Sequence, residues 1–276
     1  MKLKWSVDIN NIMVKDFLLE MGLSRKLGRL IKLYGFIYVN GIEVYNYYKL
    51  VKGDELIVVY FEEGSDYPAV NKKLDIVFED DYLLIVNKPI NLTSMPSNKY
   101  LNDNLLSYVK FDLNKKSAGT NPHLVNRLDM ATSGLVIITK QGYIHYELQK
   151  SELRRFYLAK LENLPLEISG IINLPIGRDE TSKIKRKIDF NGKEAITKYK
   201  IINKLEKIVD VEIITGRTHQ IRVHFSNMDC SIVGDNLYGS STEKELLYLS
   251  CYRLEFIHPI TKEKLEINKY PNWYKG

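Results

Sequence analysis

The sequence predicts an α+β protein: a small N-terminal α/β unit followed by a larger domain with a mixed, largely antiparallel central sheet flanked by helices. Three observations carry this. Apolar runs of strand length recur between residues 74 and 214. Helix-length segments interrupt them without the regular strand–helix alternation of a doubly wound fold. A polar stretch, EEGSDYPA (62–69), sets the first sixty residues apart from the rest. We therefore expect a first unit over 1–62, a linker over 63–70 and a second domain over 71–276.

In the first unit, FLLEMG (17–22) and SRKLGRLIKLYG (24–35) read as two short helices. Leu23, Leu27, Leu30, Ile31 and Tyr34 recur at the 3/4 spacing of a buried stripe, while Arg25, Lys26, Arg29 and Lys32 form a basic face opposite it. Ser24 suits an N-cap and Gly35 a C-terminal stop. FIYVNGIEV (36–44) follows as a hairpin turned at Asn40-Gly41, and ELIVVYF after the Lys52-Gly53-Asp54 turn as another strand. In the second domain, LDIVFE, YLLIVNKP, LVIITK, FYLAKL, AITKYKII and KIVDVEII read as strands. NLLSYVKFDL, GYIHYELQK and THQIRVHFSNM read as helices.

The 276 residues hold 40 Lys and Arg against 34 Asp and Glu, a net charge of +6 that favours a polyanionic partner without establishing one. No apolar run approaches the ~20 residues of a membrane span. The opening MKLKWSVDIN lacks the apolar core of a signal peptide, so the cytoplasm is the expected compartment. Cys230 and Cys251 stand alone, without metal-type spacing, and read as small buried residues. No H-E-x-x-H, P-loop or G-x-G-x-x-G occurs among the residues, so neither a metal nor a nucleotide cofactor is expected. The basic run Lys183, Lys185, Arg186 and Lys187 reads first as a solvated face, and alternatively as an edge that follows phosphates.

The chemistry-bearing stretch is VNRLDMATSG (125–134). It places Asp129 in a tight connection between two predicted strands, where a rigid scaffold presents loop residues to a ligand. Thr132, Ser133 and Gly134 are turn formers able to fix the loop's shape. For an isolated R-x-D, the plain reading is an Asp capping its own turn and paired at the surface with Arg127.

Two resemblances change that balance. GLSRKLGRLIK, VNG and VKGDEL are similar, in order, to the small RNA-binding domain named after ribosomal protein S-four. NRLDMATSG resembles the H-R-L-D-x-x-T-S-G motif of the RluA-type RNA pseudouridine synthases. VNKP (86–89), FYLAK (156–160), NLPIGRD (173–179), GKEAITKY (192–199), GRTHQIRVH (216–224), VGDNLYG (233–239) and FIHP (256–259) resemble further motifs of that family in order.

The resemblance implies that Asp129 is catalytic, that Arg222 is its ion-pair partner, and that Tyr157 meets the target uracil. It also implies that Arg127 enters the place vacated by a flipped base and that Leu249 lines the pocket. RNA, ribosomal or transfer, is the implied partner of what we expect to be a monomer. The N-terminal Arg25, Lys26, Arg29 and Lys32 would add affinity.

The chemistry fits this equipment. Turning uridine into pseudouridine breaks a ribose–nitrogen bond and rejoins the ring through carbon, with no redox change and no group donor. One ionised carboxylate, attacking covalently or taking a ribose proton, suffices. A glycosidase would need a second catalytic acid, which no motif marks. A non-catalytic RNA-binding factor that kept the fold is the other alternative, and the Asp129, Tyr157 and Arg222 set speaks against it. From the residues themselves, Thr218 can cap the THQIRVHFSNM helix, with Ile221, Phe225 and Met228 facing the core and Arg222 on another face. The sequence departs from the family at Asn126 (usually His), in LTSMPS (92–97), in Met228-Asp229-Cys230 and in Leu249-Ser250-Cys251. These changes touch the loops and supporting positions more than the proposed acid, phenol and cation.

Overall fold

A computed structural model describes residues 2–60, 67–116, 121–240 and 246–276. The first part of the expected linker, residues 63–66, lies outside the described residues.

The chain opens with β1 (Lys2–Ser6), β2 (Ile12–Met13), helices α1 (Val14–Glu20) and α2 (Arg25–Tyr34), then β3 (Phe36–Val39), β4 (Ile42–Val44), β5 (Lys49–Leu50) and β6 (Glu55–Val59). Four of these strands form a sheet in the order β1-β6-β3-β4. The hairpin turns where expected, with Asn40 (φ 50) and Gly41 (φ 82) both left-handed, as a type I′ turn needs. Ser24 caps α2 by accepting a hydrogen bond from Leu27 N at 3.1 Å. On α2 the stripe is only partly buried. Ile31 is enclosed, but Tyr34, the last residue of the helix, is exposed. Arg25, Lys26, Arg29 and Lys32 are all exposed on the other side. β1 was not predicted.

The larger domain continues with β7 (Ile76–Glu79), β8 (Leu83–Lys88), α3 (Leu105–Lys116), β9 (His123–Leu124), β10 (Ser133–Thr139), α4 (Gly142–Lys150), β11 (Leu153–Lys160), β12 (Ser169–Asn173), β13 (Ile176–Arg178), β14 (Arg186–Ile188), β15 (Ile196–Asn203), β16 (Ile208–Ile213), α5 (Gln220–Ser226), β17 (Leu249–Ile257) and β18 (Lys264–Asn268). Its ten-stranded sheet runs β12-β15-β16-β11-β17-β10-β8-β7, with β9 added to β10 and β18 to β17. The expected α+β class with a mixed, largely antiparallel sheet holds.

The exception to antiparallel pairing positions the site. β10 and β17 run parallel for only two residue pairs, Ser133 with Ser250 and Gly134 with Cys251. Beyond these, β10 pairs with β9 while β17 pairs with β18. A Cβ on Gly134 (φ +113) would overlap the Cys251 carbonyl and lie 2.5 Å from its nitrogen. Only glycine lets the strands meet this closely.

The central strands are buried on both faces. Leu83, Leu84, Ile85 and Val86 on β8 and Leu135 through Ile138 on β10 have no exposed surface. Each such side chain contributes roughly 1.5–3 kcal/mol of apolar burial. The small unit packs against the start of α4. Trp5 lies edge-on to Tyr143 at 5.8 Å, Tyr143 Oη donates to Met21 O at 2.7 Å, and Gln141 Nε2 donates to Lys2 O at 3.2 Å. Both cysteines are buried and free, as expected.

Candidate active site

The loop carrying Asp129 is held by side chains from three directions. Asn126, where the family pattern has histidine, is buried and bridges to β10, donating to Leu135 O (3.1 Å) and accepting from Ile137 N (2.8 Å). Ser94, inside the divergent LTSMPS segment, accepts from Leu128 N at 3.1 Å and donates to Leu128 O at 2.7 Å. Lys88, at the end of β8 and wholly buried, donates to Pro89 O (2.9 Å), Leu92 O (2.8 Å) and Met130 O (3.4 Å). Burial pulls the Lys88 ammonium down to about 7, with the Asp129 charge acting in the opposite direction. Sequence reasoning assigned none of these three a role. A lysine closing the apolar run YLLIVNKP was the readable signal for Lys88.

Facing this loop, α5 is fixed by the side chain of Gln220. It accepts from Thr215 Oγ1 and Arg217 N, both at 2.9 Å, and donates to Ile196 O and Thr197 Oγ1, both at 3.0 Å. Thr197 donates in turn to His224 Nδ1 (2.9 Å), whose Nε2–H reaches Leu174 O (3.0 Å). Thr218 is not the cap. The N-cap position belongs to His219, which takes a left-handed backbone (φ 58, ψ 18) and offers no side-chain cap. The Gln220 bonds do the anchoring instead. Ile221 and Phe225 are buried as predicted.

Arg222, on α5, is 7% exposed. Its closest carboxylate is Asp235, which accepts from Nε at 2.8 Å and from Nη2 at 2.7 Å. Asp129 Oδ2 lies 4.0 Å from Nη1. The expected pair is present, but Asp129 is the more distant of two acids on one guanidinium. Burial alone would pull the guanidinium down; the Asp235 hydrogen bonds and charge, and then Asp129, more than offset this. His219 Nε2 stands 3.9 Å from the same Asp129 oxygen. Tyr238 lies beneath, 5.0 Å from the Arg222 guanidinium and edge-on to His219 at 5.5 Å. Asp235, His219 and Tyr238 were all missed, although VGDNLYG and GRTHQIRVH contain them.

The Asp129 loop and the start of α5 line one cavity of about 500 Å³, within the size range of small-ligand sites. Asp129, Arg127, Tyr157, Arg222 and Leu249 all contribute to its wall. Tyr157, on β11, is 5% exposed. Burial pushes its phenol well above the ordinary value, with the Cys251 thiol adding to the rise and Arg155 opposing it. Arg127 is exposed at the rim, with Nη1 4.0 Å from Met95 Sδ, and the ion-pair partner of Asp129 among the described residues is Arg222, with the His219 ring beside the same oxygen. Four guanidiniums (Arg127, Arg155, Arg217 and Arg222) share the wall with a single carboxylate. Arg25, Lys26, Arg29 and Lys32 do not reach this cavity and lie on the separate α2 face. Among the described residues no cluster of three His, Cys, Asp or Glu side chains converges as a metal site would.

The fold is shared with solved pseudouridylate synthase domains. The human RNA Pseudouridylate Synthase Domain Containing 1 superposes with a TM-score of 0.59 at 22% identity, over 75% of this chain and 87% of that one. The sequence profile of the RNA pseudouridylate synthase family matches residues 82–227. The uncharacterized RNA pseudouridine synthase YjbO of Bacillus subtilis is 32% identical over 92% of this chain and 94% of its own. The uncharacterized RNA pseudouridine synthase MG209 of Mycoplasma genitalium is 35% identical over 92% and 87%. The ribosomal large subunit pseudouridine synthase D of Zymomonas mobilis is 31% identical over 75% and 70%. The chain belongs to the RluA-type RNA pseudouridine synthases. It is an isomerase acting on RNA.

Proposed function

We propose that this enzyme isomerises specific uridines in structured RNA, with Asp129 as the catalytic carboxylate acting on a base flipped out of its stack. The supporting observation is a lone acid in a cavity whose other fully charged lining side chains are arginines, on a loop pinned by Asn126, Ser94 and Lys88. Glycosidic cleavage separates C1′ from N1, and rejoining forms the C1′–C5 bond. C5 then gives up its proton, and N1 gains one. A single oxygen beside the sugar serves as nucleophile at C1′ or as base toward the ribose. The uracil, detached but not released, needs a confining wall, which the Tyr157 ring and Leu249 provide. Arg222 keeps a positive charge facing Asp129, and Arg127 at the rim offers a flat cation to the unstacked bases.

Ribosomal RNA is the substrate we favour, because the Zymomonas relative is named for the large ribosomal subunit; transfer RNA is the alternative. We further propose that residues 1–62 form an S-four-like RNA-binding unit whose α2 face holds RNA, and that the enzyme works in the cytoplasm as a monomer. The test is mass-spectrometric mapping of pseudouridine in RNA from cells lacking the gene, rescued with wild type or Asp129→Asn. Loss of defined sites, restored only by wild type, is expected. Restoration by Asp129→Asn would overturn the assignment of Asp129.

A further inference from the structure

His219 ends a hydrogen-bonded chain that runs through Tyr238 to the Arg186 amide. The backbone N–H of Arg186 donates to Tyr238 Oη at 2.8 Å. An amide cannot accept, so the phenol must spend its own proton elsewhere. Its other partner is His219 Nδ1, at 2.7 Å. A phenol that donates to Nδ1 leaves that nitrogen as an acceptor without a proton. Burial lowers the His219 pKa and keeps the ring neutral; Asp129 and Asp235 raise it, while Arg222 and Arg186 lower it further. A neutral ring with a bare Nδ1 carries its proton on Nε2. That nitrogen faces Asp129 Oδ2 at 3.9 Å, across from Arg222 Nη1 at 4.0 Å. The residue also adopts a left-handed backbone (φ 58), which is uncommon outside glycine although histidine is among the side chains that take it most readily.

We infer that His219 is a positioning residue for Asp129, presenting a fixed Nε2–H to the catalytic carboxylate through a lock formed by Tyr238 and the Arg186 amide. The inference rests on the reading of Asp129 as the catalytic group. Its physical content is a neutral donor opposite a cationic one, so that the reactive oxygen is aimed from two sides without a second cation placed against it. A protonated ring there would add a competing ion pair. The other tautomer would aim a lone pair at the acid and repel it. The lock starts at Arg186 on β14, in the basic segment of Lys183, Lys185, Arg186 and Lys187, so the hairpin that carries those cations also sets the proton position at the centre.

Two measurements decide it. Long-range proton–nitrogen spectra of histidine-labelled protein, assigned with His219→Gln, should show His219 neutral and protonated on Nε2 at neutral pH. In Tyr238→Phe the preference should relax. Kinetics would use tritium release from uridine-labelled RNA isolated from the gene-deletion strain. His219→Ala should lower kcat about tenfold to a hundredfold, the range for a hydrogen bond to a charged group, which forms here when the 3.9 Å gap closes in the substrate complex, with KM within about threefold of wild type. His219→Gln, whose amide N–H can occupy the place of Nε2–H, should recover most of the loss.

A His219 protonated on Nδ1 or on both nitrogens would overturn the inference while leaving the Asp129 reading intact. So would His219→Ala at wild-type kcat, a loss carried by KM, or a His219→Gln no better than alanine. An active Asp129→Asn would instead overturn the reading beneath it, whatever the tautomer.

Discussion

Removing the charge of Asp235 tests the site's electrostatics directly. Asp235 is 1% exposed and accepts two charge-assisted bonds from Arg222, at 2.7 and 2.8 Å, plus the amides of Leu237 and Tyr238, both at 3.2 Å. Deleting one partner of a buried pair costs about 3–5 kcal/mol, because the other is left charged and dry. Here a second acid stands 4.0 Å from the same guanidinium. At an effective dielectric near 20, a charge pair at 4 Å is worth about 4 kcal/mol. The freed Arg222 therefore recovers part of the loss by turning toward Asp129. We expect about 2–4 kcal/mol of destabilisation for Asp235→Ala. Asp235→Asn should lose less, since its carbonyl can still accept the two amides. Urea unfolding measures both. Turnover should fall more than RNA affinity, as the guanidinium is drawn off its present position. An Asp235→Ala protein within about 1 kcal/mol of wild type, with unchanged turnover, would refute the reasoning.

Two other expectations follow from charge. His145, His219 and His224 all titrate below the ordinary 6.5, first because burial disfavours their charged forms. Below that value the unfolded chain binds protons that the folded chain refuses. Stability should thus fall as pH drops through about 6.5, by up to roughly 1.4 kcal/mol per unit for each ring. Urea midpoints between pH 7.5 and 5.5 check this, and a flat profile would contradict it. Replacing Arg25, Lys26, Arg29 and Lys32 with glutamine should weaken RNA binding and reduce the slope of log affinity against log salt by up to about 3. Filter-binding titrations at several salt concentrations would show an unchanged slope if α2 does not touch RNA.

Much of the architecture was legible in local pattern. α4 begins and ends where GYIHYELQK does, and the Asn40-Gly41 turn and the Ser24 cap depend on neighbours only a few residues away. β17 escaped notice because LSCYRLEFI mixes buried polar and charged residues with apolar ones, and only its three sheet partners explain the mixture. The site divides the same way. Asp129, Tyr157, Arg222, Arg127 and Leu249 could be read from motifs, and the fold brings all five to one cavity. Their supports could not. Ser94 reaches Leu128 across 34 residues of chain, and Tyr238 meets the Arg186 amide across 52, separations at which no periodicity gives a signal. The Thr218 cap failed because a glutamine side chain holding four partners displaced the usual hydroxyl device.

The two-pair seam between β10 and β17 separates the loop bearing the acid from the strands and helix bearing the phenol and the cation. The gap across the proposed centre is therefore a backbone dimension, fixed where one residue without a side chain lets two strands touch. Loops, outer strands and an appended module can diversify on either flank, and with them the choice of transcript, while the working distance at the centre stays constant.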